Sequence, residues 1–482
     1  MSLIPMAAPD PAIVGRRNAI ISGLSRAAGR GVLITDEAGL RTFETDALTA
    51  YRATPLAAVL PQSTAEVSRI LKFCSENGIK VVARGAGTSL SGGALPATDA
   101  VVIGLSRMNR ILSVDYLDRT ATVEAGITNL AISQAVSKEK FFYAPDPSSQ
   151  LACTIGGNIA MNSGGAHCLK YGVTANNVLK LTMVLMNGEV IEIGGDYLDP
   201  QGYDLLGLAI GSEGQFGIVT EVTVRILRRA EGARPLLVGF DTAESAGACV
   251  AAIIADGLIP VAIEFMDTEA IRICEDFAKA GYPSGVEAML IIEVEGSPGE
   301  IGDQIDRLKE IASRFDPKTI RISGSEEEAA AIWKGRKSAF GAVGRLSDYY
   351  CMDGVIPLGK LASVLKQIGE LAAEHKLRVL NIFHAGDGNL HPLILYNANN
   401  EREKIAAEKC GAEVLKLCVD AGGCLTGEHG VGIEKRDLMR YQYSDADLIQ
   451  QMRVKAAFDP QWLLNMGKVF PLDLQAKFAG VA

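Results

Sequence analysis

Residues 61–93 read PQSTAEVSRILKFCSENGIKVVARGAGTSLSGG. Within them, STAEVSRILKFCSENG spaces its apolar residues at helical intervals. Ser63 and Glu66 stand three apart as a capping box, and Gly78 supplies the stop. PLAAVLPQ (55–62) before the helix and IKVVAR (79–84) after it read as strands, rich in apolar and β-branched residues. The order is strand, helix, strand, and the second strand runs into GAGTSLSGG. Successive main-chain N–H groups without bulky side chains form an anion nest, so the loop 84–93 can cradle a phosphate. The same residues also fit a plain turn. The loop is not GxGxxG, because Leu90 stands where the third glycine would be, and no Lys-Ser or Lys-Thr follows to make a Walker loop.

Outward from this unit the texture is α+β. GRRNAIISGLSRAAGR (15–30) predicts a helical lead-in within 1–50. APDPSSQLACTIGGNIAMNSGGAHCLKYG (144–172) mixes Gly, Asn and Ser with apolar residues, as buried loops against a large polar cofactor would. VLKLTMVLMNGEVIEI (178–193) is a hairpin with an Asn-Gly turn. GSEGQFGIVTEVTVRIL (211–227) is a glycine loop followed by an alternating strand. These elements fill one domain over 51–230. A second α+β domain with a mostly antiparallel sheet is expected over 231–440, where RPLLVGF, VAIEFMD and EAMLIIEVEG alternate with helical stretches. The segment 441–482, with FDPQWLLNMGKVFP, is apolar enough to dock near the first domain.

The chain has only five histidines in 482 residues. Two lie in NIFHAGDGNLHP (381–392), where Asp-Gly between apolar runs predicts a hairpin. With Asp387 and Gly388 as a two-residue turn, His384 lies opposite His391, with Cβ atoms about 4.5–5.5 Å apart. That spacing suits two imidazoles on one ion, and equally two histidines in a half-exposed sheet. CLTGEHGVG (424–432) adds Glu428 and His429 between glycines. His384, His391 and Glu428 make a three-ligand set with an open position, and His429 is left to act as a base. Zinc is the first expectation, and manganese or iron accepts the same ligands. The spacing is not HExxH, so a metalloprotease is not indicated.

Composition narrows the classes. The net charge of −10 argues against nucleic acid or anionic membrane as a partner. The longest apolar region, AGACVAAIIADGLIPVAIEF, is broken by Asp256 and Pro260, so no membrane span is expected. The start lacks a signal layout. Nine scattered cysteines without a CxxC pair suggest reduced thiols in a cytoplasmic chain with no iron–sulfur cluster of its own.

The stretches 61–93, PDPSSQLACTIGGNIAMNSGG and GSEGQFGIVTEV resemble the FAD-binding domain of the vanillyl-alcohol oxidase type. HAGDGNLH and GEHGVGIEK resemble the C-terminal domain of its 2-hydroxy-acid branch, which includes glycolate oxidase flavin subunits, D-lactate dehydrogenases and D-2-hydroxyglutarate dehydrogenases. The resemblance covers roughly 50–471. It implies FAD held by two flavin subdomains beneath a substrate domain. The cofactor contacts it implies are Arg84, Gly85, Ala86, Gly87, Thr88, Ser89 and Gly92 in the first loop. In the second region they are Pro145, Asp146, Thr154, Gly156, Gly157, Asn158, Ala160, Asn162 and Gly164, and in the third Glu213, Gly217, Ile218 and Val219. It also implies a divalent metal on His384, His391 and Glu428, His429 as base, Arg336 on the substrate carboxylate, and Asn389 near the substrate. Covalent members place a histidine where Thr88 stands here, so non-covalent FAD is expected, with His167 near the site.

Two departures bear on the substrate. Hydroxyglutarate-using members carry a lysine for the second carboxylate where this chain has Cys351, and a threonine where it has Phe340. A short D-2-hydroxy acid, D-lactate or glycolate, is therefore expected. Its proton would go to His429 and its electrons through the flavin to a protein (an iron–sulfur subunit, an electron-transfer flavoprotein or a cytochrome) or to a quinone. A homodimer, and attachment to a membrane through a partner, are compatible with this reading. Lys337 or Arg345 turned inward would restore a dicarboxylate pocket and make D-2-hydroxyglutarate the alternative. A flavin-free metallohydrolase and a degenerate structural subunit are the rivals from other classes.

Overall fold

The computed structural model describes residues 4–196 and 202–479. The ends of the lead-in and tail expected from sequence, 1–3 and 480–482, lie outside the described residues, as do 197–201. The chain divides into two compact units. Of the described residues, one comprises 4–164, 173–196, 202–228 and 428–479, and the other comprises 165–172 and 229–427.

The first unit begins with the strand–helix–strand expected around 61–93. Strands Ala57–Leu60 and Lys80–Arg84 are both parallel to Ala100–Gly104, which lies between them. Helix Thr64–Glu76 connects them, capped by Ser63 Oγ accepting the Glu66 N–H. The carboxylate of Glu66 goes further back than a capping box requires, accepting from the N–H groups of Gln62 and Arg30. The lead-in is not purely helical. Its strand Val32–Ile34 adds to the sheet edge antiparallel to Ala57–Leu60, and helix Arg17–Ala28 packs Ile20 and Leu24 into the same core as Ile70 and Leu71. A second, antiparallel sheet orders Ile111–Asp115, Thr120–Glu124, Ile218–Arg225, Val178–Val184 and Val190–Gly194. Strand Ile218–Arg225 alternates buried and half-buried residues along its length, as its sequence pattern demands. The tail is built into this unit. Leu464 bridges to Val81, and the buried Lys455 ammonium donates to the carbonyls of Gln215 and Leu464 and to Asp459.

The second unit is a large antiparallel sheet. Strands Gly232–Phe240, Ala262–Asp267, Ala288–Gly296 and Thr319–Ile322, joined by helices, take the spatial order fourth, first, third, second, a ferredoxin-like arrangement. Arg378–His384 then pairs with Ala262–Asp267 and carries the sheet on to Asn389–Leu390, Gly354–Val355 and Pro392–Tyr396. Strand Ala262–Asp267 is apolar on both faces apart from Glu264, which is fully buried, and Asp267 at its end. The segment 165–172, which sequence groups with the flavin loops, belongs here: Lys170 pairs with Glu295 and His167 with Glu293.

Candidate active site

The histidine hairpin forms in a different register from the one expected. His384 lies opposite Asn389, and Asn381 opposite Pro392, so the loop has four residues, 385–388. The reason lies in neighbouring strands: Gly386 N–H donates to Ile263 O, and Gly388 O accepts from Ile356 N–H. Gly388 has φ +76°, a conformation that favours glycine. Because the slip is two residues, every side chain keeps its face. His384, Asn389 and His391 therefore still share one face of the sheet.

The two imidazoles are close. Their ring centroids are 5.2 Å apart at an interplanar angle of 87°, with one ring nitrogen of each within 4.8 Å of the other. A centroid lies about 3.2 Å from an ion bound at about 2.1 Å, so two rings at a tetrahedral angle would sit about 5.2 Å apart. The hydrogen bonds also fix the tautomers. His384 Nδ1 is 2.7 Å from Glu264 Oε1, and His391 Nδ1 is 3.2 Å from Met352 O. Both acceptors can only accept, so each Nδ1 carries a proton, and in the neutral rings the lone pair lies on Nε2. The donor chemistry fits a divalent metal.

Arg336, in the last turn of helix Glu326–Lys337, is buried in the same unit. Its Nη2 lies 2.6 Å from Glu264 Oε2, and its buried Nε has no hydrogen-bond partner among the described residues. Glu264 thus touches Arg336 with one oxygen and His384 with the other. Burial pushes the Glu264 carboxyl up, but Arg336 and then His384 outweigh it and hold the group below its ordinary value. Asn389 is buried with an unpartnered Oδ1, and a Cβ on Gly427 would come within 2.4 Å of that atom. Gly427 N–H and Thr426 Oγ1 both donate to the buried Asp353. Glu428, the third expected ligand, follows Gly427 directly and opens the other unit. Cys351 is buried, with its sulfur within 4.8 Å of a His391 ring nitrogen. Phe340 packs on Tyr349. Lys337 and Arg345 are exposed and lie over the rings of Trp333 and Phe277. His167 sits beside Trp333, with Nε2 3.1 Å from Glu293, whose other oxygen accepts from Trp333 Nε1.

In the first unit, among the described residues, none of the main-chain N–H groups of residues 85–90 donates to a protein group. This run includes Gly85, Ala86, Gly87, Thr88 and Ser89, and it has the character of an anion nest. Gly87 has φ +76°, and a Cβ there would strike the guanidinium of Arg84, which folds beneath its own loop to reach Thr45 O. By contrast, the N–H groups opening helix Ile155–Met161 are already taken. Ile155 donates to Ile127 O, Gly156 to Ala125 O, Gly157 to Thr154 Oγ1 and Asn158 to Thr154 O. The nest therefore fits a pyrophosphate, whereas the helix start does not.

The remaining expected contacts are largely held by protein. Asn158 bonds Asn129, which also donates to Pro145 O. Asp146 lies in the loop that follows. Asn162 adopts φ +52° and accepts from Ala175, with Gly164 closing the segment. Ala160 O accepts from Glu213 N–H. Gly217 precedes strand Ile218–Arg225, whose Ile218 and Val219 pair with Val184 and Met183. Glu213, φ +53°, gives its carboxylate to the N–H groups of Val431 and Gly432, each 2.7 Å away. It thus positions the loop of His429, whose carbonyl accepts from Ser91 Oγ one residue before Gly92. His429 belongs to the unit that carries the glycine nest.

Sequence reasoning missed Glu264 and Asp353. A carboxylate in the middle of the apolar run VAIEFMD was the available signal for Glu264, since buried charges are paired. Its two partners are 72 and 120 residues away along the chain, beyond any local pattern.

The fold is shared with solved structures. A solved structure of p-cresol methylhydroxylase with substrate bound shares it at a TM-score of 0.81 and 16% identity, covering 98% of this chain and 99% of that one. The chain belongs to the FAD-linked oxidase family: residues 230–469 match the "FAD linked oxidases, C-terminal domain" and residues 55–194 the "FAD binding domain". It is 47% identical over 466 residues to glycolate oxidase subunit GlcD of Escherichia coli (strain K12), spanning 96% of this chain and 93% of the relative. It is 32% identical over 466 residues to D-lactate dehydrogenase of Anaerostipes hadrus, spanning 93% and 97%. The protein is an FAD-dependent hydroxy-acid oxidoreductase. Among the described residues no helix is long and apolar enough to cross a membrane.

Proposed function

We propose that the protein oxidises a short D-2-hydroxy acid, D-lactate or glycolate, to the 2-oxo acid, with a divalent metal on His384, His391 and Glu428. The observation that carries this reading is the pair of imidazoles with ring centroids 5.2 Å apart, one of which shares the buried Glu264 with an arginine whose Nε has no partner among the described residues. Arg336 offers that donor to the substrate carboxylate. The amide of Asn389 orients the substrate from the same sheet face. His429 takes the hydroxyl proton, and Glu213 holds the loop that carries it. FAD, non-covalent and with its pyrophosphate in the 84–93 nest, supplies the two-electron acceptor. A divalent ion, zinc foremost, supplies Lewis acidity that lowers the pKa of the hydroxyl.

Substrate size follows from charge. Glu264 already balances Arg336, so a second carboxylate would need another cation. Cys351 supplies none beside His391, and Lys337 and Arg345 are exposed, over the rings of Trp333 and Phe277. The D configuration is supported by the D-lactate dehydrogenase relative. Electrons then pass to a partner protein or a quinone. The test is kcat/KM for D-lactate, glycolate and D-2-hydroxyglutarate with a dye acceptor. A monocarboxylate is expected to lead, and a lead of about tenfold or more by hydroxyglutarate would overturn the size argument.

A further inference from the structure

We infer that Glu264 is a positioning residue that ties the substrate-binding arginine to the metal-binding imidazole. The inference rests on the reading of His384 and Arg336 given above. Glu264 is fully buried on the strand beside His384 and directly opposite it in register. One oxygen, 2.7 Å from His384 Nδ1, holds the ring so that Nε2 faces outward as a ligand. The other lies 2.6 Å from Arg336 Nη2 as a buried ion pair, while Arg336 Nε has no hydrogen-bond partner among the described residues. A hydrogen-bonded carboxylate raises the basicity of a ligating imidazole, and such partners typically matter about 10–100-fold in metal affinity. Because one rigid group spans both, any shift of Arg336 when it takes a substrate carboxylate is felt at the imidazole.

Glu264→Gln is the discriminating change. Glutamine has the same shape but no charge, so it loses the ion pair with Arg336, and it puts an NH2 donor in the place of one of the two oxygens. Packing alone would not register the difference. Zinc affinity of the FAD-loaded, metal-stripped protein is measured by competition with a chromophoric chelator, alongside KM and kcat. Wild type is expected to bind one zinc that is lost in His384→Ala. Glu264→Gln is expected to bind zinc about 10–100-fold more weakly and to raise KM, with FAD content unchanged. Glu264→Asp keeps the charge but not the reach, so it should fall between them. Should the glutamine variant fail to retain FAD, the aspartate variant decides: weaker zinc binding supports the inference and wild-type binding overturns it. Zinc affinity in Glu264→Gln within about twofold of wild type overturns this inference alone. A wild type with no zinc site sensitive to His384 overturns it together with the metal reading.

Discussion

His391 and His384 differ in setting but not in protonation pattern. The first is buried against a backbone carbonyl and the second is half-buried against a carboxylate, yet each spends its Nδ1 proton on a fixed acceptor. Two imidazoles so arranged are suited to share one electrophile. The double variant His384→Ala/His391→Ala is expected to lose its metal, read by elemental analysis. It should keep FAD, because the glycine nest lies in the other unit. His429→Ala should keep both cofactors and slow flavin reduction by about 10²–10⁴, the reach of a general base. Stopped-flow absorbance checks this, and a variant reducing at the wild-type rate would remove His429 from the chemistry. The residue types of this site were legible in the sequence because histidine is scarce and both histidine stretches are glycine-rich. The carboxylate behind them was not, because a single Glu in an apolar strand does not name its partners.

At the scale of elements, the hairpin was legible and its register was not. Asp-Gly between apolar runs favours a two-residue turn, but flanking strands recruit Gly386 and Gly388 and open the loop to four residues. The even slip preserved the faces, so His384 and His391 still share one face despite the error in pairing. Gly388→Ala tests how far this turn is constrained. A Cβ there would lie 2.2 Å from Ile356 O at φ +76°. The variant should lose about 1–3 kcal/mol of stability, the usual cost of such backbone strain, in a denaturant titration. A melt unchanged from wild type would mean the loop has another accessible form. The glycine nest shows the converse. Its position after a strand was readable, whereas its N–H groups, unclaimed among the described residues, depend on hydrogen bonds across the whole fold that no local pattern displays.

For the whole molecule, sequence texture placed boundaries near 230 and 440, and the units divide after Arg228 and Gly427, with 165–172 exchanged. The reason is long-range pairing. Glu213 captures the N–H groups of Val431 and Gly432 across more than two hundred residues, and Glu293 and Glu295 capture His167 and Lys170. Composition cannot display such contacts. The FAD is expected to be released entirely by acid or heat, since Thr88 offers no flavin anchor. Yellow colour remaining in the precipitate after full denaturation would point instead to His167 or a cysteine.

The most direct measurement is anaerobic mixing of the FAD- and metal-loaded protein with D-lactate, glycolate, L-lactate and D-2-hydroxyglutarate while flavin absorbance is followed. The account predicts rapid bleaching by D-lactate or glycolate, slower bleaching by L-lactate and D-2-hydroxyglutarate, and loss of the rapid phase in Arg336→Ala. Bleaching by none of the four, or fastest bleaching by D-2-hydroxyglutarate with Arg336→Ala unaffected, would contradict it.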